Sequence, residues 1–187
     1  MMHPKKFLTV CMLHLALALT TGGATGSEVI LSAEELNDTL KQMQRIQQDI
    51  EAAVENDRPE LHFQLAKTAD DLALVLTNEV IVNDMQQERM IDLALKRTEQ
   101  LGIRLLWYPA KDRFIYDGAA FRTYLKLAPD GPRAGESAFQ LLEIQFFQAN
   151  GNDATALQAA AEQKRDYLQH YPDHVRASEV GILLAID

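Results

Sequence analysis

Residues 124–136 read YLKLAPDGPRAGE and residues 167–179 read YLQHYPDHVRASE. Seven of the thirteen positions are identical at a constant offset of 43 residues. Tyr124, Leu125, Pro129, Asp130, Arg133, Ala134 and Glu136 return as Tyr167, Leu168, Pro172, Asp173, Arg176, Ala177 and Glu179. A helix-like stretch precedes each copy. An apolar one follows it, Phe139 to Ile144 in the first and Ile182 to Ile186 in the second. Tyrosine and leucine suit the last turn of a helix packed on a core. Proline stops that helix, because it has no amide to donate and restricts the residue before it. Aspartate suits a turn or an N-cap. Alanine permits close approach of the next helix, and glutamate in its first turn favours the positive end of the dipole. The arginine reads as a surface or inter-repeat pair.

Upstream the pattern is also helical. Ser32 and Glu35 form a capping-box pair, and Leu36, Leu40, Met43, Ile46, Ile50 and Val54 recur at spacings of three and four. Asn56, Asp57 and Pro59 end that helix. A second carries Leu61, Leu65, Ala69, Leu72, Leu76 and Val80 and stops near Asn83. Asp84 and Gln87 suggest another cap, and a third helix faces Met90, Ile91, Ala94, Leu95 and Leu101 inward. Residues 103–116 admit two readings. Ile103, Leu105 and Trp107 alternate, as do Phe114 and Tyr116, which fits a β-hairpin. The other reading runs the third helix over 85–107 and a fourth over 113–128. Further helices are expected near 133–149, 154–171 and 175–187.

At the repeated residues the chain resembles tetratricopeptide-repeat proteins. It is most similar to their bacterial envelope subgroup, which includes the outer-membrane assembly lipoprotein and the Tol-Pal-associated periplasmic coordinator. Tyr167, Leu168, Tyr171, Pro172, Asp173 and Ala177 carry the likeness, which covers about residues 111–187. It implies an all-α fold, antiparallel helical hairpins stacked as a short right-handed solenoid. It also implies a protein or peptide partner bound on the concave face. Residues 27–84 would be an N-terminal helical hairpin and 85–187 the repeats. The usual repeat is about 34 residues; this one is longer, with Asn150 to Asp153 marking an enlarged loop. The small residue usual in the middle of the first helix of each pair is replaced by Leu142 or Glu143. Val180 to Ile186 is apolar almost all round, whereas a terminal repeat normally has a polar outer face. That helix is expected to be fully buried, to meet a partner, or to belong to a longer chain.

The start of the chain has the pattern of a secretory signal. Lys5 and Lys6 precede an uncharged run from Phe7 to Leu19, too short to span a bilayer, and small residues follow from Gly22 to Gly26. Cleavage after Gly26, or after Ala24, would send the protein to the periplasm or outside the cell. The uncleaved alternative is an N-terminal anchor. The only cysteine, Cys11, sits inside the apolar run and so is not placed as a lipid-anchor cysteine. Residues 1–26 hold two lysines and no acid, so their loss moves the net charge from −9 to −11. That acidity disfavours nucleic acid and anionic lipid surfaces as partners.

The search for chemistry finds no catalytic motif, and the expectation is a non-enzyme with no cofactor and no metal. His170 and His174 are four apart, but Pro172 makes their segment a turn. His62 has no motif-quality neighbour. Asp70 and Asp71 point about 100° apart on a helix, which suits a solvated face better than a carboxylate dyad. Aromatics gather in mid-chain at Trp107, Tyr108, Tyr116, Phe121, Phe146 and Phe147. They read either as core or as the lining of a peptide groove. On the groove reading the partner-binding residues are Trp107, Tyr116, Arg122 and Lys126, with Arg113 nearby. The competing readings are self-association through residues 33–55 as a coiled coil, and an enzyme with an unrecognised site.

Overall fold

The computed structural model describes residues 32–80, 85–148 and 154–186. The signal pattern, Cys11, the Asp84–Gln87 cap, the loop at 150–153 and Asp187 lie outside the described residues. Seven α-helices and one β-hairpin follow in chain order: α1 (Ala33–Ala52), α2 (Arg58–Val80), α3 (Met85–Gln100), β1 (Leu105–Tyr108), β2 (Arg113–Tyr116), α4 (Ala119–Leu127), α5 (Ala134–Gln148), α6 (Ala154–His170) and α7 (Ala177–Ile186). The fold is thus mostly helical, with one small sheet.

Helix α1 starts where the capping box sits. The Glu35 amide donates to the Ser32 hydroxyl at 3.1 Å, and the Ser32 amide donates to the Glu35 carboxylate at 2.9 Å. Two free amides of the first turn are thereby satisfied. Leu36, Leu40, Met43 and Ile46 are buried, with α2 and α3 packed against the helix. Val54, the last residue of the expected stripe, lies beyond the helix end and is 67% exposed. Helix α2 touches α1, α3, α4 and β2 and is the central element of the larger core.

The third helix ends earlier than the reading over 85–107. Gly102 takes a left-handed conformation at φ +69°, and the amides of Gly102 and Ile103 turn back to the carbonyls of Glu99 and Thr98 at 2.9 Å. This glycine-terminated cap releases the chain into an extended path. Leu105 then pairs with Tyr116, and Trp107 with Phe114, in an antiparallel hairpin. Pro109 has no amide and supports the tight connection, and Asp112 supplies the left-handed residue at φ 45°. The helix read over 113–128 is accordingly a strand followed by α4, which begins only at Ala119. The outer edge of β2 is not left bare. The Phe114 amide donates to the Thr77 hydroxyl on α2 at 2.8 Å.

The sequence repeat is a structural repeat. In the first copy the amides of Ala128, Gly131, Ala134 and Ser137 donate to the carbonyls of Tyr124, Ala128, Gly131 and Arg133. In the second, those of Tyr171, His174, Ala177 and Val180 donate to Tyr167, Tyr171, His174 and Arg176. Each bond recurs at the same offset. Side chains repeat too. Tyr124 meets Phe63 of α2 edge-on at 5.9 Å, and Tyr167 meets Phe139 of α5 at 6.3 Å. Arg133 lies over the Phe63 ring and Arg176 over Phe139, both at 5.1 Å. Helix α4 therefore relates to α2 through its tyrosine as α6 relates to α5. Helix α3 and the hairpin are inserted between the first pair and have no counterpart among the described residues of the second.

Gly118 is where the hairpin meets this frame. It starts α4 at φ +79°, and a Cβ there would come within 2.7 Å of Leu141 and 2.9 Å of Ile144 on α5. The left-handed backbone favours glycine, and a side chain there would also displace the terminal methyls of these two residues.

The two copies differ at one buried position in an instructive way. Ser137 is fully buried and its hydroxyl has no partner among the described residues, whereas its counterpart is the apolar Val180. A buried hydroxyl without a hydrogen bond costs about 1–3 kcal/mol. Ser137→Ala is expected to stabilise the protein by about 1 kcal/mol in urea unfolding. Phe63→Ala, which empties the first aromatic contact, is expected to cost about 3–5 kcal/mol in the same experiment.

Candidate functional site

Helix α5 forms the wall of two adjoining depressions. The first lies between α5, α6 and α7. Phe139, Leu142, Phe146, Val180 and Leu183 make its apolar surface, and Glu143, Lys164 and Glu179 its polar rim. The second lies between α2, β2 and α5, with Asp70, Asp71, Arg113, Phe114 and Glu143 among its lining residues. Glu143 lines both, so the two adjoin at this residue and together make the groove along α5 considered below. Its carboxyl comes from an α5 turn whose other side chains are apolar, which fixes a charge at the centre of a largely apolar helix.

Volume decides what such a groove can hold. The depressions measure about 150 and 120 Å³, while pockets for drug-sized ligands typically run about 300–1,000 Å³. Each has room for a bulky side chain. Around them the apolar surface continues into solvent. Of the lining residues, Phe146 is 53% and Leu183 39% exposed.

The electrostatics are uneven. Burial raises the Glu143 pKa above the usual carboxylate value, and the neighbouring Asp70 and Glu179 raise it further. Arg176 and Arg113 oppose this only in part. Asp70 is raised chiefly by burial, with Lys67 pulling against it from 4.0 Å. The adjacent-acid reading as a solvated face therefore holds for the exposed Asp71 but not for Asp70, whose side chain is only 30% exposed. Two carboxyl groups with raised pKa in one cleft is an arrangement that acid–base enzymes use. Here they line the second depression together with Arg113.

The residues expected to bind a partner lie elsewhere. Trp107 is 36% exposed on the hairpin, tilted against Phe114 at 5.0 Å. Tyr116 is 2% exposed, so its ring is core and not contact surface. The Ala120 amide donates to its hydroxyl at 2.7 Å, and burial pushes its pKa up to about 12. Arg122 is held at home, donating to the Asp117 carbonyl at 2.8 Å. Lys126 is exposed in the last turn of α4. None of the four lines either depression. Of the expected aromatics, Phe146 does.

The histidines are occupied locally. His170 donates its Nδ1 proton to the Asp166 carbonyl, 2.7 Å away. His174 Nδ1 accepts from the Tyr167 hydroxyl at 2.6 Å and from the Arg176 amide at 3.3 Å. Burial lowers the His62 pKa below the ordinary imidazole value, with the Arg58 charge adding to the effect. Among the described residues no group of three metal-ligating side chains converges, and no helix is long and apolar enough to cross a membrane.

The Asp70 environment has a measurable consequence. A carboxyl whose pKa is raised on folding binds its proton more tightly in the folded chain, so stability falls as pH rises through the raised pKa. Asp70→Asn is expected to raise the urea midpoint at pH 7, and its advantage over the parent chain should shrink towards pH 4. An advantage that does not depend on pH would contradict this cause. Comparison with known proteins adds no relative: no family model matches the chain, and no curated protein or solved structure matches it significantly.

Proposed function

We propose that this chain is an exported, non-catalytic helical-repeat scaffold of the tetratricopeptide kind. On this reading it holds a segment of another protein in the groove along α5. One observation carries the proposal: Phe146 and Leu183 line a depression sized for a side chain and are 53% and 39% exposed. The repeated Tyr–Phe–Arg arrangement at 124–136 and 167–179 supports the repeat reading. Antiparallel hairpins stacked as a short right-handed solenoid would continue that arrangement. The Lys5, Lys6 and Phe7–Leu19 pattern supports export to the periplasm or beyond.

The groove differs from the concave face that the family resemblance implies. A more open depression of about 340 Å³ between α4, α5 and α6, with Leu125, Tyr167 and Tyr171 among its residues, is the alternative docking surface on this reading. The α5–α7 groove is preferred because large apolar side chains stand exposed at its edge.

Affinity capture from an envelope extract tests the proposal. The parent chain is expected to retain a protein partner that the double variant Phe146→Ser with Leu183→Ser does not. Both substituted side chains are already partly exposed, so the fold should survive, and circular dichroism checks this. Equal capture by parent and variant would place the partner elsewhere.

A further inference from the structure

Resting on the groove reading above, we infer that the segment held along α5 is both cationic and apolar. It presents a lysine or arginine close to a bulky aliphatic or aromatic side chain. The charges lining the two depressions motivate the first half. Asp70, Asp71, Glu143 and Glu179 stand against Arg113 and Lys164. Glu143 lies where the depressions meet. Asp70 faces it from α2, Arg113 from β2, Lys164 from α6, and Glu179 with Arg176 from α7 and the turn before it. The carboxylates around it outweigh the bases in their effect on its ionisation. A cation delivered there meets an excess of negative charge in a partly desolvated place, where charge-assisted hydrogen bonds are strong.

The aromatic side chains support the same chemistry. Lys111, in the hairpin turn, places its Nζ 5.5 Å from the Phe146 ring centre. Arg176 covers the face of Phe139 at 5.1 Å while pairing with Glu179 at 2.7 Å. Both aromatics of the first depression thus already take a cation from the chain itself, through the attraction between positive charge and the ring face. Lys111 is exposed at a turn, so an incoming lysine or arginine can take its place over Phe146. The apolar half of the ligand follows from the wall of Phe139, Leu142, Phe146, Val180 and Leu183. The net charge of −9 works in the same direction at long range, drawing in cationic segments and repelling anionic ones. An acidic peptide would leave Glu143 and Glu179 facing like charge.

Panning a display library of random 12-residue peptides on the full chain tests the inference. Enriched peptides are expected to carry lysine or arginine within four positions of leucine, isoleucine, phenylalanine or tryptophan. A synthetic peptide of the consensus should bind Glu143→Gln about tenfold more weakly than the parent chain. Phe146→Ser should weaken it by a similar factor, and Asp49→Asn, an exposed acid on α1, should leave it unchanged. Enriched peptides that lack basic residues, yet lose affinity in Phe146→Ser, would overturn the cationic inference and leave the groove reading standing. Basic peptides weakened equally by Asp49→Asn and Glu143→Gln would show general attraction to an acidic surface and overturn it as well. If no peptide is enriched, or none responds to Phe146→Ser, the inference and the groove reading fall together.

Discussion

A phenylalanine ring holding the edge of a tyrosine, with an arginine laid across it, is the contact on which the chain's turns depend. It occurs as Phe63–Tyr124–Arg133 and again as Phe139–Tyr167–Arg176. The tyrosine belongs to the last turns of one helix, the phenylalanine to an earlier helix, and the arginine to the turn that follows. One cluster therefore ties three pieces of chain together. Aromatic pairs in this edge-on geometry contribute about 0.5–1.5 kcal/mol beyond the area they bury. Glu136 and Glu179 pair with the arginines at 3.8 and 2.7 Å and hold them in place. These pairs are partly exposed, so their role is orientation more than stability.

The two copies depart from one another where the tyrosine hydroxyl is satisfied. Tyr124 accepts directly from the Arg133 amide at 2.9 Å. In the second copy the hydroxyl bonds to His174, which stands where the first has Gly131. The same backbone turn therefore fits either a small residue or an interposed ring. The His174 ring also reaches Gly135 at the start of α5, where any Cβ would lie 2.6 Å from it. Tyr171, in turn, donates to the Pro129 carbonyl at 3.4 Å. The second turn is thus seated directly on the first.

The inserted α3 and hairpin give the molecule what the repeated frame alone would lack. Strand β2 brings Arg113, Phe114 and Ile115 against α2 and α5, closing one wall of the second depression. The hairpin turn carries Lys111 to Phe146. Thr77 binds the outer edge of β2, and Gly118 lets the chain pass close to α5 as it leaves the hairpin. A stretch of 38 residues between α2 and α4 is in this way made to serve a surface on α5.

The sequence by itself determined the parts of the fold that rest on local chemistry. The Ser32–Glu35 capping box, the apolar stripe from Leu36 to Ile46 and the turns at Pro129 and Pro172 are decided by residues within a few positions of one another. So are the hydrogen-bonded turns that repeat at a fixed offset. The stretch at 103–116 stayed open between strand and helix, because alternation over so few residues is weak. Gly102 and the pairing of Trp107 with Phe114 settled it. The groove could not be read in advance. Asp70, Arg113, Glu143, Lys164 and Glu179 come from five elements, and only packing brings their charges together. Tyr116 and Phe146 both looked like groove aromatics in one dimension. Which of them is core and which is surface depends on where α2, α4 and α7 lie, and burial is a property of neighbours rather than of the residue itself.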